Sequence, residues 1–430
     1  MRLPLLPLEI FRPSWAEPGQ HAILERERIL TCSPEASAAG VRPGMRRGGT
    51  LALAPEVVLH ERDAERERAG LREAALCLLQ YTPEVALADE SALLLDIGAS
   101  LSAFGGPLAL CRRVRASVQG LGFTVRLAMA PTGQGAWLLA AQGRGQRRSL
   151  RLPGMARRLD GLPCGLLPAA RTHAGWLEDI GCRTLGQLRA LPRAGLRRRC
   201  GGDVLEQLDR AYGAAAELYE WVEAPARFDA RLELPDRVDH AAAVLFGARR
   251  LVLQMTGWLA GRQLAVARCI LWLEHERGRA ARAPTALEIA LAEAAWREEH
   301  LLRLLREKLG RLALAAPVVA LRLEAASLQA LAPPSAALFP EPGGTPADYA
   351  RLLELLAARL GPECVLAPAP RPDHRPEAGN QWTPAVALRR VPPAGAAACP
   401  TGGERPFWLL EQPLELPLEL PLRRPFYGSP

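Results

Sequence analysis

The sequence has almost no lysine, no paired-cysteine motif and no clustered histidines. Lys308 is the only lysine, so arginine carries nearly all of the positive charge. The nine cysteines are odd in number and never spaced as CxxC, and the seven histidines form neither HExxH nor HxH. These absences argue against a disulfide framework and a structural zinc site. We therefore predict no metal site built from histidine or cysteine, and no cofactor.

The sequence also lacks the features of a membrane or secreted protein. No uninterrupted apolar stretch reaches the ~18 residues that a membrane helix needs. The apolar start is broken by Pro4 and Pro7 and has no small-residue cleavage site of a signal peptide. With 430 residues, 49% of them hydrophobic, the chain is long enough for several cores. We expect a globular, cytoplasmic and nucleoid-associated protein with no membrane contact.

The charge is strongly positive. A net charge of +8 and a pI near 9.3 favour a polyanionic partner, because cationic surfaces release counterions when they bind nucleic acid. The preference for arginine over lysine also fits a coding bias without functional meaning. Composition alone leaves both explanations open.

Strand and helix patterns alternate through the first third of the chain and indicate an α/β or α+β unit. Residues 85–97 form one β-like run there. Residues 171–213 are different, because short helical pieces are separated by glycine and proline and no strand pattern occurs. From residue 230 to residue 325 the pattern predicts the order βαββαβ, a four-stranded sheet backed by two helices. After Leu331, proline becomes frequent around one predicted helix at Pro346–Leu360.

Three sequence segments resemble conserved segments of the Y-family DNA polymerases, and they occur in the same order as in that family. They are SPEASAAGVRPGM at residues 33–45, TPEVALADESALLLDIG at 82–98 and AMAPTGQGAW at 128–137. The resemblance implies a Y-family polymerase-like α+β body. Its parts would be palm-like residues 1–12 and 76–165, fingers-like residues 13–75, and thumb-like residues 166–223 with a helix-hairpin-helix. The rest would be little-finger-like residues 226–330, a linker at 331–365 and a Pro-rich partner-binding tail at 366–430.

The positions that carry catalysis in that family differ here. The paired metal-binding carboxylates fall on Ser91 and Ala92, and Glu9 is the only acid in the opening segment. Two Mg²⁺ ions need carboxylate ligands for nucleotidyl transfer, and neither serine nor alanine replaces them. The triphosphate-binding positions are lost as well: they fall on Pro34, Ser37, Thr132 and Gly133, with Trp137 in place of a later lysine.

This combination resembles the catalytically inactive ImuB-type proteins of bacterial mutasomes. That resemblance implies an error-prone C-family DNA polymerase and a RecA-like protein as partners. A shift of register is the alternative, because Asp89 and Glu90 precede Ser91 and Ala92 by two residues. In a continuous strand Asp89 would share a face with Ser91 about 6.5 Å away, so a bulge would restore the site. The protein would then be an active translesion polymerase.

Residues 177–202 resemble a helix-hairpin-helix, in which a glycine turn brings backbone N–H groups to DNA phosphates. The candidate DNA contacts are Gly181, Arg183, Thr184, Arg193, Arg197, Arg198 and Arg199. A solvated basic helix face is the alternative. Further along the chain, Arg249, Arg250 and Arg262 are arginines that would follow the duplex backbone.

The linker segment SAALF resembles the peptide that binds the sliding clamp. Ser335 takes the first position, and Leu338 and Phe339 would fill an apolar pocket on the clamp. Packing of this Leu-Phe pair on its own domain is the alternative. The tail carries aromatic and leucine side chains that would anchor partners: Trp382, Phe407, Trp408, Leu409 and Leu410.

The sequence thus predicts a non-catalytic scaffold that joins primed DNA, the sliding clamp and an error-prone polymerase during SOS mutagenesis. An active translesion polymerase is one alternative. A DNA-binding module with no link to replication is another.

Overall fold

The computed structural model describes residues 1–143, 148–276, 282–331, 346–370 and 380–385, and the short pieces 418–419 and 424–425. Helices and sheets are mixed along the chain, which confirms the α+β class. The clamp-type residues Ser335, Leu338 and Phe339 lie outside the described residues, as do the tail residues Phe407 to Leu410.

A small three-stranded sheet lies near the start of the chain. After helix α1 (Leu6–Glu9) come β1 (His21–Glu25), β2 (Arg28–Cys32), α2 (Pro34–Ala38), α3 (Arg47–Leu53) and β3 (Val58–Glu61). The strand order is β2-β1-β3, with β1 and β3 parallel. Ala22, Leu24 and Val41 are among the residues of its own small core.

The next elements surround a β-hairpin. They are α4 (Ala64–Leu78), β4 (Val85–Ala88), β5 (Ala92–Leu95), α5 (Pro107–Gly120) and α6 (Gly133–Ala141). The first residues of the chain run beside β5: the Leu3 N–H donates to the Ser91 carbonyl, and the Leu93 N–H donates to the Met1 carbonyl. The prediction of one β-like run over residues 85–97 is wrong, because two strands with a turn between them form here. In this turn, Glu90 and Ser91 have φ of 58° and 55°.

A helical unit follows without a strand among its described residues. Its helices are α7 (Leu152–Asp160), α8 (Pro168–Arg171), α9 (Ala174–Asp179), α10 (Leu185–Ala190), α11 (Arg193–Cys200) and α12 (Asp203–Tyr212). Leu185, Leu188 and Leu208 are buried in a core that extends to Trp137 of α6. The helical unit is therefore packed onto the hairpin region rather than tethered beside it.

The βαββαβ order predicted from the sequence is present. Its elements are β6 (Asp229–Val238), α13 (Ala241–Gly261), β7 (Leu264–His275), β8 (Thr285–Ala295), α14 (Glu298–Arg311) and β9 (Val318–Ala330). The antiparallel sheet has the order β6-β9-β7-β8, and α13 and α14 cover one face around Trp258, Leu271 and Leu305. The remaining elements are α15 (Pro346–Leu360), β10 (Leu366–Pro370), β11 (Asn380–Pro384), β12 (Leu418–Glu419) and β13 (Arg424–Pro425).

Helix α13 also joins this unit to the first part of the chain. A side chain at Gly257 would meet the Leu76 carbonyl oxygen, since a Cβ there would lie 2.1 Å from it. Arg250, 4% exposed, donates to Glu73 at 2.7 Å and stacks on Phe123. The close backbone approach and the paired charge fix α13 against α4. Among the described residues, no helix is long and apolar enough to span a membrane.

Candidate functional site

The turn between β4 and β5 holds the positions where the Y-family carboxylates would lie. Ser91 ends the turn, and its carbonyl accepts from Leu3. Ala92 is completely buried and pairs with Leu3's neighbour Arg2 as an isolated bridge. Because the chain reverses between Ala88 and Ala92, Asp89 and Ser91 are not successive residues on one strand face. The geometry assumed for the register-shift alternative is therefore not formed.

Two arginines bind Glu90, one of the two acids of this turn. Arg2 donates to one Glu90 carboxylate oxygen at 2.7 Å, and Arg171 of α8 binds the other oxygen. The Arg2 guanidinium also lies 5.5 Å from the ring centroid of Trp137. Trp137 donates its indole N–H to the Asp89 carbonyl at 3.2 Å. We call Arg2, Glu90, Arg171 and Trp137 the arginine joint.

The arginine joint is a contact of paired charges between the hairpin and the helical unit. A carboxylate that accepts from two guanidinium groups has its lone pairs engaged and its charge compensated. In the part of the chain that the structure describes, no group of three or more histidine, cysteine, aspartate or glutamate side chains has the arrangement of a metal site.

The first turn of α6 holds Thr132 and Gly133, two of the predicted triphosphate positions. Thr132 caps the helix: its hydroxyl accepts from the Gly135 N–H at 3.1 Å and donates to the Ala211 carbonyl at 2.9 Å. The Glu217 carboxylate accepts from the N–H groups of Gly133 and Gln134, each at 2.7 Å. The N–H donors that make a helix N-terminus attractive to anions are thus bound to the chain's own carboxylate.

Tyr219 fills the space where a side chain at position 133 would lie. A Cβ on Gly133 would be 2.3 Å from the Tyr219 hydroxyl oxygen. Burial raises the pKa of the Tyr219 phenol, and the neighbouring Glu217 carboxylate, which shares a hydrogen bond with it, adds to the rise. Tyr219 therefore stays protonated and can donate to Glu217. A lysine at position 133 is incompatible with this arrangement.

Pro34 and Ser37, the other two predicted triphosphate positions, do not lie at the start of α6. Both belong to α2, where Pro34 is the first helical residue and the Ser37 hydroxyl accepts from Arg42 at 3.1 Å. Helix α2 packs with the small core of the three-stranded sheet, which is separate from the core that holds Ala92 and Trp137. The structure thus brings together the turn and α6, but it does not bring α2 to them through a shared core.

The predicted hairpin turn of the helical unit has its N–H groups engaged. Gly181 has φ of 74°, and its N–H donates to the Glu178 carbonyl. Gln187 closes the turn, because its side-chain oxygen accepts from Arg183 N–H at 2.8 Å and from Thr184 N–H at 3.1 Å. Thr184 completes a capping box with Gln187. A phosphate would have to displace Gln187 to reach these donors.

The arginines of α11 fall into two groups. Arg193 is bound by both oxygens of Asp209 at 2.9 and 2.6 Å, a contact that lowers the pKa of Asp209, and Arg199 stacks over Trp176. Arg197 and Arg198 are exposed, and within the described ranges they form no ion pair; the same holds for Arg183. The turn Gly201–Gly202 that follows has open space around both glycines, and Gly202 caps α12 without a side-chain hydrogen bond.

The three arginines expected to follow the duplex differ in exposure, because Arg249 and Arg262 are exposed and Arg250 is not. Arg250 is buried against Glu73, so its predicted DNA contact is wrong. Arg249 lies 3.6 Å from Glu298, and Arg262 donates to the Ala224 carbonyl at 3.3 Å. Helical spacing in the sequence does not distinguish an arginine at an internal interface from one that faces solvent.

Sequence reasoning missed the residues that complete the site: Arg2, Arg171, Glu217 and Tyr219. No motif marks them. The one signal in the sequence was Gly133 itself, since a glycine where a larger residue is expected indicates that another group approaches closely.

Comparison with known proteins agrees with the family resemblance of the three sequence segments. Residues 14–141 match the sequence model described as "IMS: impB/mucB/samB family". Protein ImuB from two strains of Caulobacter vibrioides, NA1000 / CB15N and ATCC 19089 / CIP 103742 / CB 15, is 27% identical over 385 residues, which is 87% of this chain and 80% of the relative. The resemblance to ImuB-type proteins is thus confirmed.

Solved polymerase structures are also similar. A Dbh ternary complex has a TM-score of 0.42 at 16% identity and covers 75% of this chain and 95% of its own. DinB from Sulfolobus solfataricus has a TM-score of 0.39 at 15% identity and covers 74% of this chain and 94% of its own.

The packing of Tyr219 against Gly133 gives a direct test of the α6 site. We expect Gly133→Lys to lower the melting temperature by several degrees, because overpacking typically costs about 1–3 kcal/mol. Tyr219→Ala should cost stability in the wild type but restore part of the loss in the Gly133→Lys background, since the two positions are in contact. Thermal unfolding of the four proteins measures this coupling. Simple additivity of the two losses would contradict the close approach.

Proposed function

We propose that this protein is a non-catalytic, DNA-binding scaffold of translesion synthesis, and that it serves an error-prone complex in SOS mutagenesis. The observation that carries the proposal is the arginine joint. Where the resemblance places metal-binding carboxylates, this chain has Ser91, buried Ala92 and a Glu90 already bound to two arginines.

The chemistry of nucleotidyl transfer supports the absence of catalysis. Carboxylates must hold two Mg²⁺ ions that activate the primer hydroxyl and neutralise the triphosphate. Arg2 and Arg171 bind the two carboxylate oxygens of Glu90 in the turn where those cations would bind, so a metal would have to displace an arginine to reach this carboxylate. At the start of α6, Glu217 adds a negative charge beside the position of the triphosphate. Both features oppose the binding of metal and triphosphate that a polymerase needs.

The surface of the helical unit supports DNA binding. Arg183, Arg197 and Arg198 are exposed, and the last two lie one turn before the open Gly201–Gly202 turn and the start of α12. Exposed arginines beside a turn with open space suit phosphate contacts that do not depend on base sequence. The net charge of +8 adds a general attraction to nucleic acid.

We assign the parts of the chain by the resemblance. Residues 1–12 and 76–165 are palm-like, 13–75 fingers-like, 166–223 thumb-like and 226–330 little-finger-like. The linker peptide with Ser335, Leu338 and Phe339 would bind the sliding clamp. The Pro-rich tail would recruit the error-prone C-family polymerase and a RecA-like partner. The similarity to Protein ImuB over most of both chains supports this assignment.

The absence of catalysis is tested by primer extension with Mg²⁺ and all four deoxynucleotides, beside a DNA-binding titration on the same preparation. We expect binding without extension, because the carboxylate positions are Ser91 and Ala92. Extension that disappears in Asp89→Ala/Glu90→Ala would instead show an active translesion polymerase. Binding to DNA with no binding to the sliding clamp would favour a module unrelated to replication.

The DNA interface is tested by neutralising the two free arginines of α11. Arg197→Gln/Arg198→Gln should weaken binding to primed DNA several-fold and reduce the salt slope by about 0.9 for each phosphate that the protein no longer neutralises. The matched control is Arg303→Gln/Arg306→Gln, which removes the same charge from exposed positions on α14. Equal losses of affinity in both pairs would contradict a specific interface on α11, because only net charge would then matter.

A further inference from the structure

The outer face of the four-stranded sheet is an exposed surface of the βαββαβ unit. The residues that point to α13 and α14 are apolar, among them Leu232, Leu271 and Leu321. Because side chains alternate along a strand, the residues between them point outward. We define the outer face by its charged residues and its central aromatic residue: Asp229, Arg231, Glu233, Arg268, Trp272, Glu274, Glu288, Arg322 and Glu324.

Strand register places these charges in rows across the sheet. Arg231 of β6 lies opposite Arg322 of β9, which lies opposite Trp272 of β7. Two residues further along β7 from Trp272 lies Glu274. In the opposite direction along β6 and β9, Asp229 lies opposite Glu324. The arginines are therefore flanked by acids along their own and neighbouring strands.

Each arginine of the outer face is already bound to an acid of the same face. Arg231 lies 2.9 Å from Glu274 and 3.0 Å from Glu233. Arg322 is held by both Asp229 oxygens at 2.7 and 2.6 Å. Arg268 lies 3.5 Å from Glu288. Hydrogen bonds from the arginines hold the pKa values of Asp229 and Glu233 below their usual range, so these acids are ionised at neutral pH.

Acids outnumber arginines on this face even when Arg66 of α4, which pairs with Glu233 at 3.2 Å, is counted with it, although the chain as a whole is basic. A phosphate that approached Arg231 or Arg322 would have to displace a carboxylate and would meet Glu324 and Glu274 beside it. Displacing a charge-assisted pair gives up about as much as the new contact provides. The remaining acids repel the duplex at distances within a Debye length, about 8 Å at physiological salt.

We infer that the outer face of this sheet is closed to the DNA backbone, so that the duplex contacts other surfaces of the chain. This inference rests on the proposed DNA binding and says which surface of the chain takes no part in it. The ion pairs act as specificity determinants: they neutralise the arginines that a sheet surface would otherwise offer to phosphates.

The experiment is a DNA-binding titration of the full chain at several salt concentrations. The first variant, Arg231→Gln/Arg322→Gln, removes two arginines from the outer face. We expect its affinity for primed DNA to stay within about twofold of wild type, since these groups do not contact phosphate. A loss of affinity comparable to that of Arg197→Gln/Arg198→Gln would overturn the inference.

The second variant, Asp229→Asn/Glu233→Gln/Glu274→Gln, leaves Arg231 and Arg322 without their acids. Its control, Glu56→Gln/Glu61→Gln/Glu299→Gln, makes the same charge change at exposed positions away from the outer face. We expect the sheet variant to bind DNA at least fivefold more tightly than the control and with a steeper salt slope, because two new cations can release counterions. Equal affinities of sheet variant and control would overturn the inference.

Failure of the proposed function has a different signature. If the wild-type chain binds no DNA, the scaffold proposal is contradicted. A gain of DNA binding by the sheet variant alone would still support the closed face, and no gain would contradict it as well. Thermal unfolding of each variant shows whether an altered affinity reflects an altered surface or a loss of folded protein.

Discussion

The contact of Arg2 and Arg171 with Glu90 is the interaction on which the arrangement of the first half of the chain depends. It joins the opening residues, the hairpin turn and the helical unit at one carboxylate. The turn holds Glu90 in a left-handed conformation, which costs about 1 kcal/mol or more for a residue other than glycine. The two guanidinium groups and the pairing of Met1 and Leu3 with β5 offset that cost.

Internal pairing of arginine extends over the rest of the molecule. Arg250 joins α13 to Glu73 of α4, and Arg193 joins α11 to Asp209 of α12. Arg322 of β9 pairs with Asp229 of β6. A high count of arginine is therefore a poor guide to where DNA binds. The informative arginines are those that remain exposed without an acid, and in the described helices these include Arg197 and Arg198.

Much of the fold was readable from the sequence, since long alternating strands and the short helices of residues 171–213 carry clear periodicity. The turn at Glu90 was not, because it has no glycine and is formed by pairing with residues about 90 positions away. The proposed metal-ligand positions rest on the resemblance, but Arg171, Glu217 and Tyr219 could not be found in that way, since tertiary contacts place them. Arg250 was misassigned for the same reason: its burial depends on α4, which helical spacing does not reveal.

We propose that the β4–β5 turn holds arginine where a Y-family polymerase would hold metal. Binding of Mn²⁺ to the full chain, with primed DNA and a deoxynucleoside triphosphate, measures this directly through the spin resonance of the free ion. We expect no Mn²⁺ bound beyond that held by DNA and nucleotide alone, and no change in Asp89→Ala/Glu90→Ala. A protein-dependent Mn²⁺ site that this double substitution abolishes would contradict the account.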